Sequence, residues 1–381
     1  MNILNALEKT IDTLKKYNDS RYVRYEEINS NNYKTPQDYG ADGRGFSDDT
    51  NAINQAIEEN NIIYFPPGIY NITSPILVSS AGKTIYGTRD TKIIAKNCAG
   101  FLISNSNNIE LRDLQIIGNN TSNHGVIISG GGYKNSFTNL SISNFKGDGF
   151  HTNWFDAGFG VSVIEKCSFK NCGNGIMCLS DAIDQRNNIT ITNNLFGQIT
   201  SSAIRITGCG IIIEGNNIEN CEYGIKIDNW NEAPDRDNTG YCGSLAIRIV
   251  GNYIENATKA FASFSHNLRK ATDTSLRKDG MLDGIVFENN YCFINNNVTL
   301  SDSYAEIEFT SYVNDSEASV NNLIEDLTFA GNVFSTERTP TPILINGNNL
   351  LSQSCSFTIS KLSKGECLNM GAANIIRVSN T

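Results

Sequence analysis

The chain has 381 residues, of which 18% are charged, and a formal net charge of −10 at pH 7. That acidic balance argues against a nucleic-acid partner, which needs a basic stripe for phosphate. No run is long and apolar enough to span a membrane, and Met1–Tyr17 lacks the apolar core of a signal peptide, so synthesis in a reducing cytoplasm is expected whatever the later address.

Residues 1–35 read as an N-terminal unit. Leu4, Leu7, Ile11 and Leu14 form an a/d seam on a short amphipathic helix, and residues 18–35 read as a linker. Two heptads are too few to stand alone, so the seam either caps the next unit or serves self-association or docking on a larger assembly. Residues 36–381 form the second unit. Asp48 or Asp49 can cap a helix running to Glu59, whose Ala52, Ile53, Ala56 and Ile57 make one apolar face. A strand at Ile62–Phe65 and the turn Pro66-Pro67-Gly68 come next.

The segments DYGADGRGFSDDTNAINQAI and IIYFPPGIYNI, within residues 38–72, resemble the opening of the pectate-lyase-like right-handed parallel β-helix superfamily. Its members include glycan lyases, glycoside hydrolases, uronan epimerases and phage tailspikes. The resemblance implies an all-β, single-stranded right-handed parallel β-helix, with this motif as its cap and no active site in it. With the missing signal peptide and the separate N-terminal segment, it implies a tailspike-like protein that binds and depolymerises a cell-surface or extracellular polysaccharide. Such a protein would be a homotrimer and a phage tail or baseplate component acting outside the cell, on a virion. A non-enzymatic receptor-binding tail protein and a bacterial uronate lyase or epimerase are the alternatives. The acid-Pro-His pattern of the epimerases and the Gly-His-Gly and Asp-Asp motifs of polygalacturonases are missing, so no catalytic residue carries over from either.

From Lys83 onward one phrase returns eight times. Its column residues are Leu114, Leu140, Cys167, Asn194, Asn216, Asn252, Asn290 and Asn332, with an apolar residue three positions earlier and another two positions later. This register marks a solenoid. Successive column residues lie 26, 27, 27, 22, 36, 38 and 42 positions apart, which fits a three-sided coil with insertions in its later turns. Stacked asparagines at one position are expected to form a hydrogen-bonded ladder. Cys172 and Cys221 fall five residues after the column, with Phe145, Ile199 and Ala257, as small buried hydrophobes. No CxxC or zinc spacing occurs among the ten cysteines, so neither a disulfide framework nor a structural metal is expected.

Seven to eleven positions after the column comes a small residue and an apolar strand: Gly149-Phe150, Gly175-Ile176, Ala203-Ile204, Gly224-Ile225 and Ala260-Phe261. The segments after these strands emerge at one corner and hold most insertions, so they should build a wall beside a groove. Trp154 and Trp230, both tryptophans of the chain, lie there and suit stacking on sugar rings. Hydrolysis needs two carboxylates, for which Asp156, Asp181, Asp184 and Asp228 are the candidates. Elimination from a uronic acid needs a base and a cation at the carboxylate, for which His151, Arg186, Arg236 and Tyr241 are the candidates. Alternation with Phe150 should point His151 outward. No cofactor is expected. The acidic calcium cluster of pectate lyases is not evident, although Asp235 and Asp237 could bind a cation.

Overall fold

The structure, a computed structural model, describes residues 33–152, 159–179, 186–229, 244–268, 282–313, 324–335, 341–346, 356–358, 368–370 and 377–379. The helix expected over residues 1–17 lies outside them. Each coil contributes strands to three faces. The first face runs from Ile62–Tyr64 through Ile212–Glu214 to Arg377–Ser379. The second runs from Gly68–Ile72 through Ser168–Cys172 to Val333–Ser335, and the third from Ile76–Val78 through Phe150–Thr152 to Leu368–Met370. Neighbouring strands in every face pair in parallel, one coil above the next, at a spacing of about 4.8 Å. This is the three-sided solenoid expected from the register and the right-handed parallel β-helix implied by the resemblance.

The apolar positions of the phrase fill the lumen in stacks. Phe169 lies on Phe196 and Phe287 on Phe329, each pair with centroids 5.1 Å apart. Burying each such side chain is worth about 1.5–3 kcal/mol. At the N-terminal end the helix Thr50–Glu59 buries Ile53, Ala56 and Ile57 against the short turn Pro36–Tyr39 and the strand Ile76–Val78. Asp48 accepts hydrogen bonds from the Thr50 amide and hydroxyl, while Asp49 accepts from the Asp42 amide at 2.6 Å. Both acids of the early pair are therefore structural. Cys172 and Cys221 are buried as expected. Among the described residues Cys98, Cys167, Cys172, Cys221 and Cys292 are free thiols and buried, and burial pushes the thiols of Cys167, Cys172 and Cys221 up to about 12.

The asparagine column forms a continuous ladder from Asn194 to Asn332. Asn252 shows the unit: its Oδ1 accepts from the backbone N and Nδ2 of Asn216 at 3.0 and 2.9 Å. Its own Nδ2 donates to the Ile213 carbonyl and to Asn290 Oδ1, each at 3.0 Å. Each amide thus satisfies a buried turn that has no strand partner. The residue before the column is left-handed in every coil: Asp113, Asn139, Lys166, Asn193, Gly215, Gly251, Asn289 and Gly331 have φ between 53° and 66°. Asn, Asp and Gly predominate there because they tolerate that conformation best.

One expected alignment shifts. Ala262, not Phe261, stands in register with Ile225, because the strand Tyr253–Leu268 carries one extra residue between the pairs Cys221–Ala257 and Tyr223–Ala260. That is a β-bulge, and pairing resumes beyond it. In this coil and the one before, Asn217–Asn229, the second and third faces run as one unbroken strand.

Replacing Asn252 by Ala strips the acceptor from two buried N–H groups and should cost about 3 kcal/mol or more in denaturant unfolding. Asn217→Ala, which removes an Oδ1 already lacking a partner, should be close to neutral. Equal losses would refute the ladder as a main source of stability.

Candidate functional site

Third-face strands present an outward row, one residue per coil. Ile127, His151, Met177, Arg205, Lys226, Ser263 and Glu308 stand in register along it. His151 does face outward as expected, while Phe150 is fully buried in the lumen, yet His151 itself retains only 9% of its exposure. A second polar series runs along the corner just before these strands. His124, Asp148, Asn174 and Ser202 each precede the small residue that opens the third face. The Asp148 amide donates to His124 Nδ1 at 2.9 Å, the Asn174 amide to Asp148 Oδ1 at 3.1 Å, and the Ser202 amide to Asn174 Oδ1 at 3.0 Å. The small residues are required because a side chain would enter the lumen: a Cβ on Gly149 would lie 2.5 Å from the Phe169 ring. Gly147 is needed for another reason, since its Cβ would lie 2.7 Å from the His124 ring.

Row and corner meet at Asp148. Its Oδ2 lies 2.6 Å from His151 Nδ1, and its Oδ1 also accepts from Asn174 Nδ2 at 2.7 Å. The His124 ring stacks on that of His151, centroids 4.1 Å apart with 27° between planes. Burial opposes ionisation of Asp148, but the imidazoles beside it and the hydrogen bonds from His151 and Asn174 outweigh it and hold the carboxyl well below the usual carboxylate range. The result is an ionised carboxylate that orients an imidazole through Nδ1 and leaves Nε2 available. This is the arrangement of a general base and its orienting acid. Beside this corner a cleft of about 680 Å³ opens along the turn between the second and third faces, lined by Asn120, Lys146, Asn171, Gln198 and Thr200 among others. It lies on the turn before the third-face strands, whereas the sequence pointed to the segments after them.

Ligand atoms of His124, Asp148 and His151 lie within 4.8 Å of one another, the spacing of a cation site. Both Nδ1 atoms are nevertheless hydrogen-bonded to Asp148, one to its amide and one to its carboxylate. Nearly parallel rings also direct their lone pairs alongside each other rather than to one point. The cluster is hydrogen-bonded as it stands.

Asp228 is the one predicted acid among the described residues. It is 1% exposed, its Oδ2 accepts from Arg205 Nε and Nη2 at 2.9 and 2.6 Å, and its Oδ1 accepts from Ser265 at 2.9 Å. Lys226 Nζ stands 3.5 Å away. Held this way, Asp228 organises the cations of the row. It is three coils from Asp148, about 14 Å along the axis, so the two do not form a glycosidase pair. Asp156, Asp181, Asp184, Trp154, Trp230, Arg236 and Tyr241, with Asp235 and Asp237, lie outside the described residues. Arg186 opens a first-face strand with its backbone opposite Phe159. His124, Asp148, Asn174 and Arg205 were not singled out by sequence, although the first three share one position ahead of the small residue.

Because Asp148 has a lower pKa folded than unfolded, its contribution to stability is present above about pH 4 and lost as pH falls through the folded value. Asp148→Asn should therefore lower the melting temperature at neutral pH, with the gap to wild type closing towards about pH 2. A gap independent of pH would show that the carboxylate is not held ionised by its hydrogen-bond donors.

Over residues 35–105 the chain matches the family described as rhamnogalacturonase A/epimerase, pectate lyase-like. No curated protein matches it. Among solved structures it is similar to tailspike protein 2 of Escherichia coli O157:H7 bacteriophage CAB120, with a TM-score of 0.61 and 13% identity over 92% of this chain and 46% of that one. The chain thus spans less than half of that tailspike. It is also similar to the Streptococcus pneumoniae surface protein and adhesin PfbA, with a TM-score of 0.56 and 17% identity over 86% of this chain and 92% of that one. The Dettilon tailspike protein gives a TM-score of 0.52 and 16% identity over 82% and 68%. At these identities the likeness is one of fold. With the cap sequence, the coil register and the three parallel faces, it fits the pectate-lyase-like parallel β-helix superfamily.

Proposed function

We propose that the protein acts on a uronate-containing polysaccharide outside the cell, by β-elimination with His151 as the base. The observation that carries this reading is the Asp148–His151 pair, in register along one face with Arg205 and Lys226. Elimination next to a carboxylate needs a base at the α-proton and positive charge near the carboxylate. The pair supplies the base. Arg205 and Lys226 stand two and three coils further along the row and are paired with Asp228, so they would meet the carboxylates of neighbouring sugar units. Asp228, the candidate acid for hydrolysis among the described residues, is occupied by Arg205. A matched family described by a rhamnogalacturonase and an epimerase, and tailspikes among the similar structures, fit action on a polysaccharide. Trp154 and Trp230 remain our proposal for stacking on sugar rings, Asp156, Asp181 and Asp184 are the acids for the alternative of hydrolysis, and a homotrimeric virion component remains our proposal for the assembly.

A second reading, binding without cleavage, is favoured by the similarity to the adhesin PfbA over 92% of that chain and by the shielding of His151. One experiment separates the two. The protein is incubated with polygalacturonate, alginate and a neutral glucan, monitoring the ultraviolet absorbance of unsaturated uronate. Product should appear with a uronan only, and His151→Ala should slow it by about 100-fold or more. Co-sedimentation with a polysaccharide and no product from any would establish binding alone. New reducing ends without unsaturated product would establish a hydrolase.

A further inference from the structure

We propose that His124 is a second catalytic group of this site, a hydrogen-bond donor that holds the substrate's carboxylate while His151 removes the neighbouring proton. This rests on the eliminative reading above and adds a residue with a defined role to it.

Hydrogen bonding assigns opposite roles to the two rings. His124 Nδ1 accepts the Asp148 amide N–H at 2.9 Å. An atom that accepts an N–H carries no proton, so in the neutral ring the proton of His124 is on Nε2. His151 Nδ1 faces the Asp148 carboxylate at 2.6 Å. An ionised carboxylate only accepts, so His151 carries its proton on Nδ1 and has its lone pair on Nε2. The rings are stacked at 4.1 Å, and both Nδ1 atoms are turned to the same residue. Both Nε2 edges therefore face away from Asp148, one as a donor and one as an acceptor. His124 is the more accessible of the two, with 24% of its side chain exposed against 11% for His151.

A uronate presents the complementary pair. Its C5–H is acidified by the adjacent carboxylate, whose oxygens gain charge as the proton leaves. In the first step His151 Nε2 takes the C5 proton, and the C–H electron pair moves into the carboxylate to give an enediolate. His124 Nε2–H hydrogen-bonds the oxygen where that charge collects and keeps its own proton. In the second step the electron pair returns to form the C4–C5 double bond and the C4–O bond breaks. The leaving oxygen takes the proton held by His151, which restores the starting state. No oxidant or other reactant is required. A neutral sugar lacks the carboxylate and offers His124 nothing to hold, so the pair selects uronates.

The test uses the full chain, with nitrogen-15 labelling of the histidines and the variants His124→Phe and His124→Gln. Imidazole NMR should show His124 protonated on Nε2 and His151 on Nδ1. A uronate disaccharide should shift the His124 Nε2 signal, and a neutral disaccharide should not. His124→Phe keeps the stacked ring and loses the donor, so kcat on a uronan should fall by about 100-fold. His124→Gln restores a donor and should recover most of that rate. A proton on His124 Nδ1, Zn²⁺ binding that displaces both Nδ1 hydrogen bonds, or a folded His124→Phe with wild-type kcat would overturn the proposal. If no uronan is cleaved, the eliminative reading fails by itself. The donor role of His124 is then decided by the NMR titration, and an unmoved Nε2 signal would overturn that too.

Discussion

A parallel coil leaves its turns without strand partners, and every turn buried in this protein must find a neighbouring coil to satisfy it. That demand shapes both the body and the site. At the column, the amide of Asn194, Asn216, Asn252, Asn290 or Asn332 closes one turn against the next. At the third-face corner the same task falls to His124, Asp148 and Asn174. The two ladders run in opposite senses. Along the column an earlier coil donates its backbone N–H to a later side chain, whereas at the corner a later coil donates to an earlier side chain.

The corner shows how a scaffold device can become a chemical one. Any acceptor of the right reach could cap the Asp148 or Asn174 amide. Placing an imidazole and then a carboxylate at successive steps does that work and also sets the proton positions of His124 and His151. Precision then comes from the repeat, because each group is held by backbone of the next coil rather than by a free loop. The Asp228 cluster obeys a similar logic. A carboxylate with almost no exposure gathers Arg205 and Lys226 on the row, so that positive charge stands on the face without being left unpaired.

Much of the body was legible because lumen packing imposes a strict period on residue type. The column, its apolar flanks, the asparagine ladder, the inert cysteines and the cap helix can all be read that way. The left-handed residue before the column was less visible, since Lys166 fills it as well as Asn and Gly do. The bulge at Tyr223–Ala260 could not be read, because Ala260-Phe261 fits the small–apolar pattern on paper and nothing in the sequence marks Ala262 as the residue that takes the apolar position. For the site, His151 stood out by its alternation with Phe150. His124 and Asp148 did not, because insertions and tryptophans mark the far ends of the third-face strands, while the position ahead of them varies in type from coil to coil. That Asp228 would be an ion-pair partner depends on Arg205 lying one coil away, 23 positions earlier in the chain.

The bulge has a consequence for how such a chain can change over time. It absorbs one added residue within a single coil, and by Lys226 and Ser263 the pairing is back in phase. Position in this molecule is therefore counted in turns of the coil and not in residues. A gene under such a rule can gain or lose length at the corners, as the spacings of 22 to 42 residues attest, without displacing anything downstream. The chemistry at Asp148 is insulated in the same way: lengthening a distant coil leaves its neighbours where they were. Inheritance can then edit one tier at a time, and a new specificity need not be won at the expense of the frame that carries it.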